Sequence, residues 1–272
     1  MIYKKYGEVF KKLRIQEEKP LSFFSSVGLS KSTLSDFERG NKMMAFDKVV
    51  IALQEMGFSL RSFENLLNNY IDTSSIDISY RMEEAVLSQD TEKLRYLHTL
   101  TKETGMEHLN LCINILLNRN YSDEIEHLTN HLYSVEVFTY KELTILYILM
   151  DKISAKEIID ILRILKKNSR GLYYSKEYRR ALTLVLCEAA EVLSAFGCKK
   201  EAKRIIDVLD KYEIASSMFT RIIFFGTKGV WKYYFENLKE GRMMISEAIH
   251  IHEIAGDPNV TNFYKKKYEK YF

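Results

Sequence analysis

Lys31, Ser32 and Thr33 stand directly behind Ser30 in the stretch LSKSTLSDFERGNK, whose helical run stops at Gly40. Short and cationic donors in the first turn of a helix are what a reader of the DNA major groove presents to base edges. Lys31 suits a guanine acceptor or a phosphate. Thr33 offers a methyl to thymine and a hydroxyl to a base or phosphate, and Ser32 suits a phosphate. Asp36, one turn later, fits such a face by accepting from a cytosine amino group or by orienting Lys31. Asn41, Lys42 and Arg14 are further candidates for phosphate contacts. Plainer roles exist for some of them. Ser30 and Ser32 read singly as ordinary helix caps, and Arg14 with Glu38 reads as an ion pair tying the first helix to the third.

Other chemistries find few carriers. The chain has no HExxH, GxSxG, Walker or GxGxxG motif, so the usual vehicles of hydrolysis and nucleotide binding are missing and no enzyme or cofactor is expected. His127 and His131, in HLTNH, share a helical face near Glu124, but no third ligand is identifiable and a solvated helix is preferred to a metal site. Cys112, Cys187 and Cys198 are widely spaced and form no CxxC pair. They read as reduced thiols of a cytoplasmic protein.

The elements that position the candidate reader are helical. Tyr6, Val9, Phe10 and Leu13 recur at helical spacing between lysines and arginine, which predicts a first amphipathic helix over 3–15. Pro20 suits an early position of a short helix over 21–27, with the register open between Phe24 and Ser25, and Gly28 permits the turn after it. Ser30 caps the third helix, from which Leu34 and Phe37 face inward. Helices over 45–56, with Phe46, Val49, Val50, Leu53 and Met56 inward, and over 59–70, with Leu60, Phe63, Leu66 and Leu67 inward, complete a five-helix unit over 1–70. IDTSSIDI, residues 71–78, breaks the pattern and is expected to be a linker.

Beyond it, helices are predicted over 79–88, 91–104, 106–118, 122–134, 139–149, 154–168, 175–196, 199–212, 216–237, 240–255 and 260–271. Paired helices of this length suggest a tetratricopeptide-like solenoid over 79–272, with a concave side able to hold an extended partner. Near its end Gly229, Trp231, Tyr234 and Phe235 lie on one helix and Ile245, Ala248, Ile249 and Ile254 on the next, with small Ala248 letting the two approach. The fold class is therefore all-α.

Composition agrees with this reading. Only 11 Gly and 2 Pro punctuate 272 residues, too few for a chain of many strands and hairpins. Residues 1–70 hold eleven Lys and Arg against eight Asp and Glu, so the whole net charge of +3 sits in the first quarter, and the rest is neutral. That asymmetry suits a phosphate-facing module on a neutral body. The N-terminus lacks the apolar core of a signal peptide, and no stretch approaches the roughly 18 apolar residues of a membrane span.

LSKSTLSDFERG resembles the recognition-helix signature of the Rgg/GadR/MutR family of bacterial transcriptional regulators. The likeness continues through MAFDKVVIALQEMGFSLRSFE and into the C-terminal KGVWKYYFENLKEGRMMISEAIHIHEIAGDPN, so it spans nearly the whole chain. Thr33 stands where the family usually has Gln, Asp36 where it has Arg or Lys, and LSFFSSV lacks the usual Leu-Ala pair. The resemblance implies a lambda-repressor-like (XRE-type) helix-turn-helix domain followed by a TPR-like domain that dimerises. It implies a homodimer on double-stranded operator DNA and, as in many relatives, a short hydrophobic peptide pheromone on the concave face, in the manner of quorum sensing. A peptide needs apolar pockets with a few amide or charged groups. Arg81, Asn110, Asn114, Asn118, Tyr147, Phe224, Lys228 and Trp231 are the candidates, Asn114 and Asn118 sharing one helical side. The alternative is a helical-repeat interaction scaffold without DNA-reading activity, which the small charge excess and Asp36 favour.

Overall fold

The computed structural model describes residues 2–68, 74–117, 121–168 and 176–272, among which there is no strand. The chain divides into two compact units, Met1–Thr73 and Ser74–Phe272.

The first unit contains α1 (Ile2–Gln16), a 3-10 helix (Leu21–Val27), α2 (Lys31–Glu38), α3 (Phe46–Glu55) and α4 (Leu60–Leu67). Pro20 is the N-cap of the 3-10 helix, and its missing N–H is therefore not needed. Phe24 is fully buried while Ser25 is exposed, which settles the register of that turn. Ser30 caps α2, its hydroxyl accepting from the Thr33 N–H at 3.1 Å, and Gly40 leaves the helix at φ 72°. Phe10, Phe24, Leu34, Phe37 and Leu53 form the core. Phe46 and Leu60, expected inward, are 70% and 42% exposed. Each opens its helix, where side chains lean back past the N-terminus and meet no preceding turn. Val49, Ala52 and Leu53, and then Phe63 and Leu67, carry the buried stripes instead.

The seam between α1 and α2 sets the angle of α2. A Cβ on Gly7 would lie 1.9 Å from the Phe37 carbonyl oxygen, so the backbones touch there and only a hydrogen fits. One turn on, the rings of Phe10 and Phe37 meet edge to face at 5.5 Å. Another turn on, Arg14 meets Glu38.

The second unit is a succession of antiparallel helices: α5 (Ser75–Ser88), α6 (Thr91–Glu103), α7 (Glu107–Leu117), α8 (Ser122–Ser134), α9 (Tyr140–Leu149), α10 (Ala155–Asn168), α11 (Lys176–Ala195), α12 (Lys199–Lys211), α13 (Met218–Phe235), α14 (Leu238–Ala255) and α15 (Pro258–Tyr268), closed by a short 3-10 turn (Glu269–Tyr271). Helices α5, α7, α9, α11 and α13 pack on one another in sequence as an inner layer, and the even-numbered helices between them form the outer one. Helix α15 packs on α14 and returns to α5, so the last helix meets the first.

Residues 75–78, expected in a linker, are the first turn of α5; residues 71–73 lie outside the described residues. The Ser74 hydroxyl accepts from Asp77 N–H at 3.4 Å and Ile78 is fully buried, so a local cap and one core contact outweigh the polar composition. Ala248 is buried as expected. The tightest approach of α13 and α14, however, is made by glycines: a Cβ on Gly241 would meet the Tyr233 nitrogen at 2.4 Å and the Gly229 oxygen at 2.6 Å.

Candidate functional site

In the first unit, Lys31 and Ser32 are exposed and Thr33 is half-buried at the start of α2. Ser30 Oγ lies 2.9 Å from Ser32 Oγ and 2.8 Å from Thr33 Oγ1, so the hydroxyls form one small web. The web holds Thr33 in place, and Lys31 is the exposed cation of the turn, with no ion pair among the described residues. Asp36 does not orient Lys31. It accepts from Arg39 Nη2 at 3.3 Å and Asn41 Nδ2 at 3.4 Å, which spends its charge on the exit of its own helix. Asn41 and Lys42 are exposed. Arg39, unnoticed in the sequence, is exposed beside them.

Arg14 is turned inward and is not placed as a phosphate contact. Its Nε and Nη2 donate to the two Glu38 carboxylate oxygens at 2.5 and 2.8 Å, and Nη1 donates to the Lys19 carbonyl at 2.7 Å. All three guanidinium nitrogens are engaged, and the two side chains are 12% and 5% exposed. The Glu38 bond raises the Arg14 pKa further, keeping the pair ionised. Its role is to hold α2 on α1.

In the second unit, a cavity of about 500 Å³ lies between α5, α9 and α11, with Phe219 of α13 and the Phe263–Lys267 stretch of α15 completing its wall. Met82, Leu143, Val185 and Phe219 make it mainly apolar, and the volume is that of an ordinary small-ligand site. Six charged side chains also line it: Glu83, Asp151, Lys152, Glu188, Lys266 and Lys267. Most are paired. Glu83 accepts from Arg180 at 2.5 Å, and Arg180 lies over the Phe219 ring at 4.3 Å. Lys152 meets Asp151 at 2.5 Å, and Lys266 donates to the neutral Gln89 side chain at 2.5 Å.

Of the eight residues proposed for a ligand, Tyr147 lines this cavity. Asn118 lies outside the described residues. The other six are elsewhere. Arg81 pairs with Asp77 at 3.6 Å and covers Tyr96. Asn110 donates to His98 O at 2.8 Å and Thr101 Oγ1 at 2.9 Å, fastening α7 to α6. Asn114 is half-buried away from the cavity wall. Phe224 is buried under Lys228, which pairs with Asp210 at 2.7 Å. Trp231 is buried and donates to the Lys199 carbonyl at 3.3 Å. Periodicity told which face of each helix is covered, and gave no sign of which covered face borders a void. The sequence does carry one sign of the cavity wall, Glu188, with Glu191 one turn on, inside the apolar run LVLCEAAEVL, since carboxylates among apolar residues require partners.

His127 and His131 have His108 of α7 as neighbour, with the His108 and His131 rings stacked at 3.9 Å and His127 at 5.7 Å. His131 Nε2 lies 3.2 Å from Glu142 Oε1. Among the described residues no group of three His, Cys, Asp or Glu is placed to hold a metal ion. Burial first, then the charges of His131, Lys141 and His127, hold His108 below its ordinary pKa, and burial does the same to His252, stacked on Tyr264. As pH falls through about 6.5 the unfolded chain therefore binds these protons before the native one does, and stability is lost on the acid side. The thermal midpoint of the full chain is expected to fall between about pH 7 and pH 5. His108→Gln is expected to make that slope shallower; an unchanged slope contradicts the assignment.

The family model described as the C-terminal domain of the HTH-type transcriptional regulator Rgg matches residues 88–266. Among solved structures, the chain is similar to the Streptococcus dysgalactiae SHP pheromone receptor Rgg2, at 18% identity and TM-score 0.77 over 98% of this chain and 100% of that one. It is also similar to ComR from S. thermophilus, solved in complex with DNA and its signalling peptide ComS, at 16% identity and TM-score 0.59 over 98% and 99%. At these identities the likeness is one of fold.

Proposed function

The chain belongs to the Rgg family of HTH-type transcriptional regulators, and on that premise we propose that it binds operator DNA as a homodimer through the first turn of α2 and adjusts its action when a short hydrophobic peptide occupies the cavity of the repeat unit. Met1–Thr73 is then the DNA-binding domain and Ser74–Phe272 the domain for ligand and dimer. The observation that carries this reading is the apolar cavity, lined by the inner helices and α15 of the unit that matches the family. One similar protein is a pheromone receptor, and another has been solved with DNA and a signalling peptide together. A dimer follows from physics as well, because one short helix reads too few bases and two read half-sites about one DNA turn apart. Operator binding places the protein in the cytoplasm. Among the described residues, no helix is long and apolar enough to cross a membrane.

Contacts to DNA divide by role. Lys31 and the Thr33 methyl read bases; Ser32, Asn41 and Lys42 meet phosphates; Asp36 keeps Asn41 and Arg39 in place. The test is genome-wide footprinting of the tagged protein, followed by titration of the best site with and without peptides encoded beside the gene. Lys31→Ala and Thr33→Ala are each expected to lose about 1–3 kcal/mol of preference for that site over scrambled DNA. Lys42→Ala is expected to weaken all sequences alike and to lower the salt slope by about one. Unchanged discrimination in the first two removes the base-reading assignment, and no retention of DNA at low salt favours a protein-binding scaffold.

A further inference from the structure

At the inner wall of the cavity two carboxylates share one lysine. Lys267 Nζ lies 2.5 Å from Glu188 Oε2 and 2.9 Å from Glu191 Oε2. Glu191 is fully provided for, because its Oε1 also accepts from Thr227 Oγ1 at 2.7 Å and the Tyr268 hydroxyl at 2.9 Å. Among the described residues, the partner of Glu188 is Lys267. That contact is made by Oε2, the Glu188 side chain is 16% exposed, and Glu188 is the member of the pair that borders the void. The other carboxylates on the cavity wall are matched one to one, Glu83 by Arg180 and Asp151 by Lys152. Around Lys267 two carboxylates thus meet one cation, while Lys266, which balances the wall as a whole, sits on the neutral Gln89 side chain; a carboxylate short of its own counterion is costly in such surroundings.

We propose that the ligand of this cavity presents a protonated amine to Glu188, with its apolar side chains on Met82, Leu143, Val185 and Phe219. The inference rests on the peptide-receptor reading and adds the chemistry of the ligand's charged end. An ammonium group completes a two-cation, two-carboxylate cluster, and Glu188 Oε1 becomes a charge-assisted acceptor. An acetylated or anionic end placed there meets a carboxylate with nothing to offer it. Burial and the neighbouring Glu191 charge push the Glu188 carboxyl up against the opposing pull of Lys267, the behaviour of an acid short of one cation. The amine can be a peptide N-terminus or a lysine side chain, and the chemistry at Glu188 is the same.

The experiment is affinity selection on the full chain with three pools of short synthetic peptides built from Leu, Ile, Val, Phe and Gly. One pool has free N-termini, one is N-acetylated, and one is N-acetylated with a single lysine. Retention of the free or the lysine pool at least about tenfold above the acetylated pool, the size of one charge-assisted hydrogen bond, supports the proposal and tells the two amine sources apart. Glu188→Gln is expected to abolish that preference and Glu188→Asp to keep most of it. Should the Gln variant not fold, the wild-type comparison and the Asp variant decide the matter. Equal retention of the acetylated pool, or a preference that survives Glu188→Gln, overturns the amine assignment and leaves the peptide reading standing. No retention of any pool by a chain that still binds DNA overturns both.

Discussion

Arg14→Ala is expected to destabilise the N-terminal unit by about 3–5 kcal/mol, because it leaves Glu38 buried and charged without a counterion. Glu38 is 7% exposed, and its two oxygens take their donors from Arg14. The Lys19 carbonyl loses its guanidinium donor at the same time. A unit of about seventy residues is stable by roughly 4–10 kcal/mol, so the variant is expected to be partly unfolded in ordinary buffer. Hydrogen exchange of the α1 and α2 segments in the full chain measures this directly: protection should drop across the N-terminal unit and hold in Ser74–Phe272. The same variant decides whether Arg14 touches DNA. If it positions α2 only, the folded fraction binds with an unchanged slope of log affinity against log salt. A slope reduced by about one, with protection intact, restores the phosphate role.

Much of the first unit was legible because its signals are local. Ser30, Gly40 and the apolar spacing around Leu34 and Phe37 fix a helix without reference to the rest of the chain. The polar run before α5 misled for the opposite reason: IDTSSIDI looks like a connector, yet Ser74 caps a helix in it and Ile78 reaches the core. The succession of repeat helices was also readable from periodicity. The cavity was not, since the void is lined by helices distant in sequence, with α5 and α15 at opposite ends of the unit. Asn110 shows the limit well. An amide on an apolar helix reads as a ligand contact or as an interhelical clamp, and only the position of His98 and Thr101 decides for the clamp. Glu188 carried a stronger signal than any residue selected for the ligand, because a carboxylate in an apolar run is costly until something meets it.

Gly7→Ala tests the same seam as Arg14 without altering any charge. The new Cβ would stand 1.9 Å from the Phe37 carbonyl oxygen, 2.8 Å from its carbon and 3.0 Å from the Glu38 Cα. All three are backbone atoms, so no change of rotamer relieves the clash and the two helices must part. Parting them pulls Phe37 off Phe10 and stretches the Arg14–Glu38 pair, contacts that lie one and two turns further along α1. The expected loss is about 3 kcal/mol, at the upper end of the usual range for overpacking, despite the gain in helix propensity that alanine brings. Operator binding should fall with the folded fraction of the unit, while ligand retention by Ser74–Phe272 in the same molecule stays at the wild-type level. Full DNA affinity in Gly7→Ala would mean that α1 and α2 are not held at this distance in the DNA-binding state. A joint loss of ligand retention would mean that the two units do not fold independently.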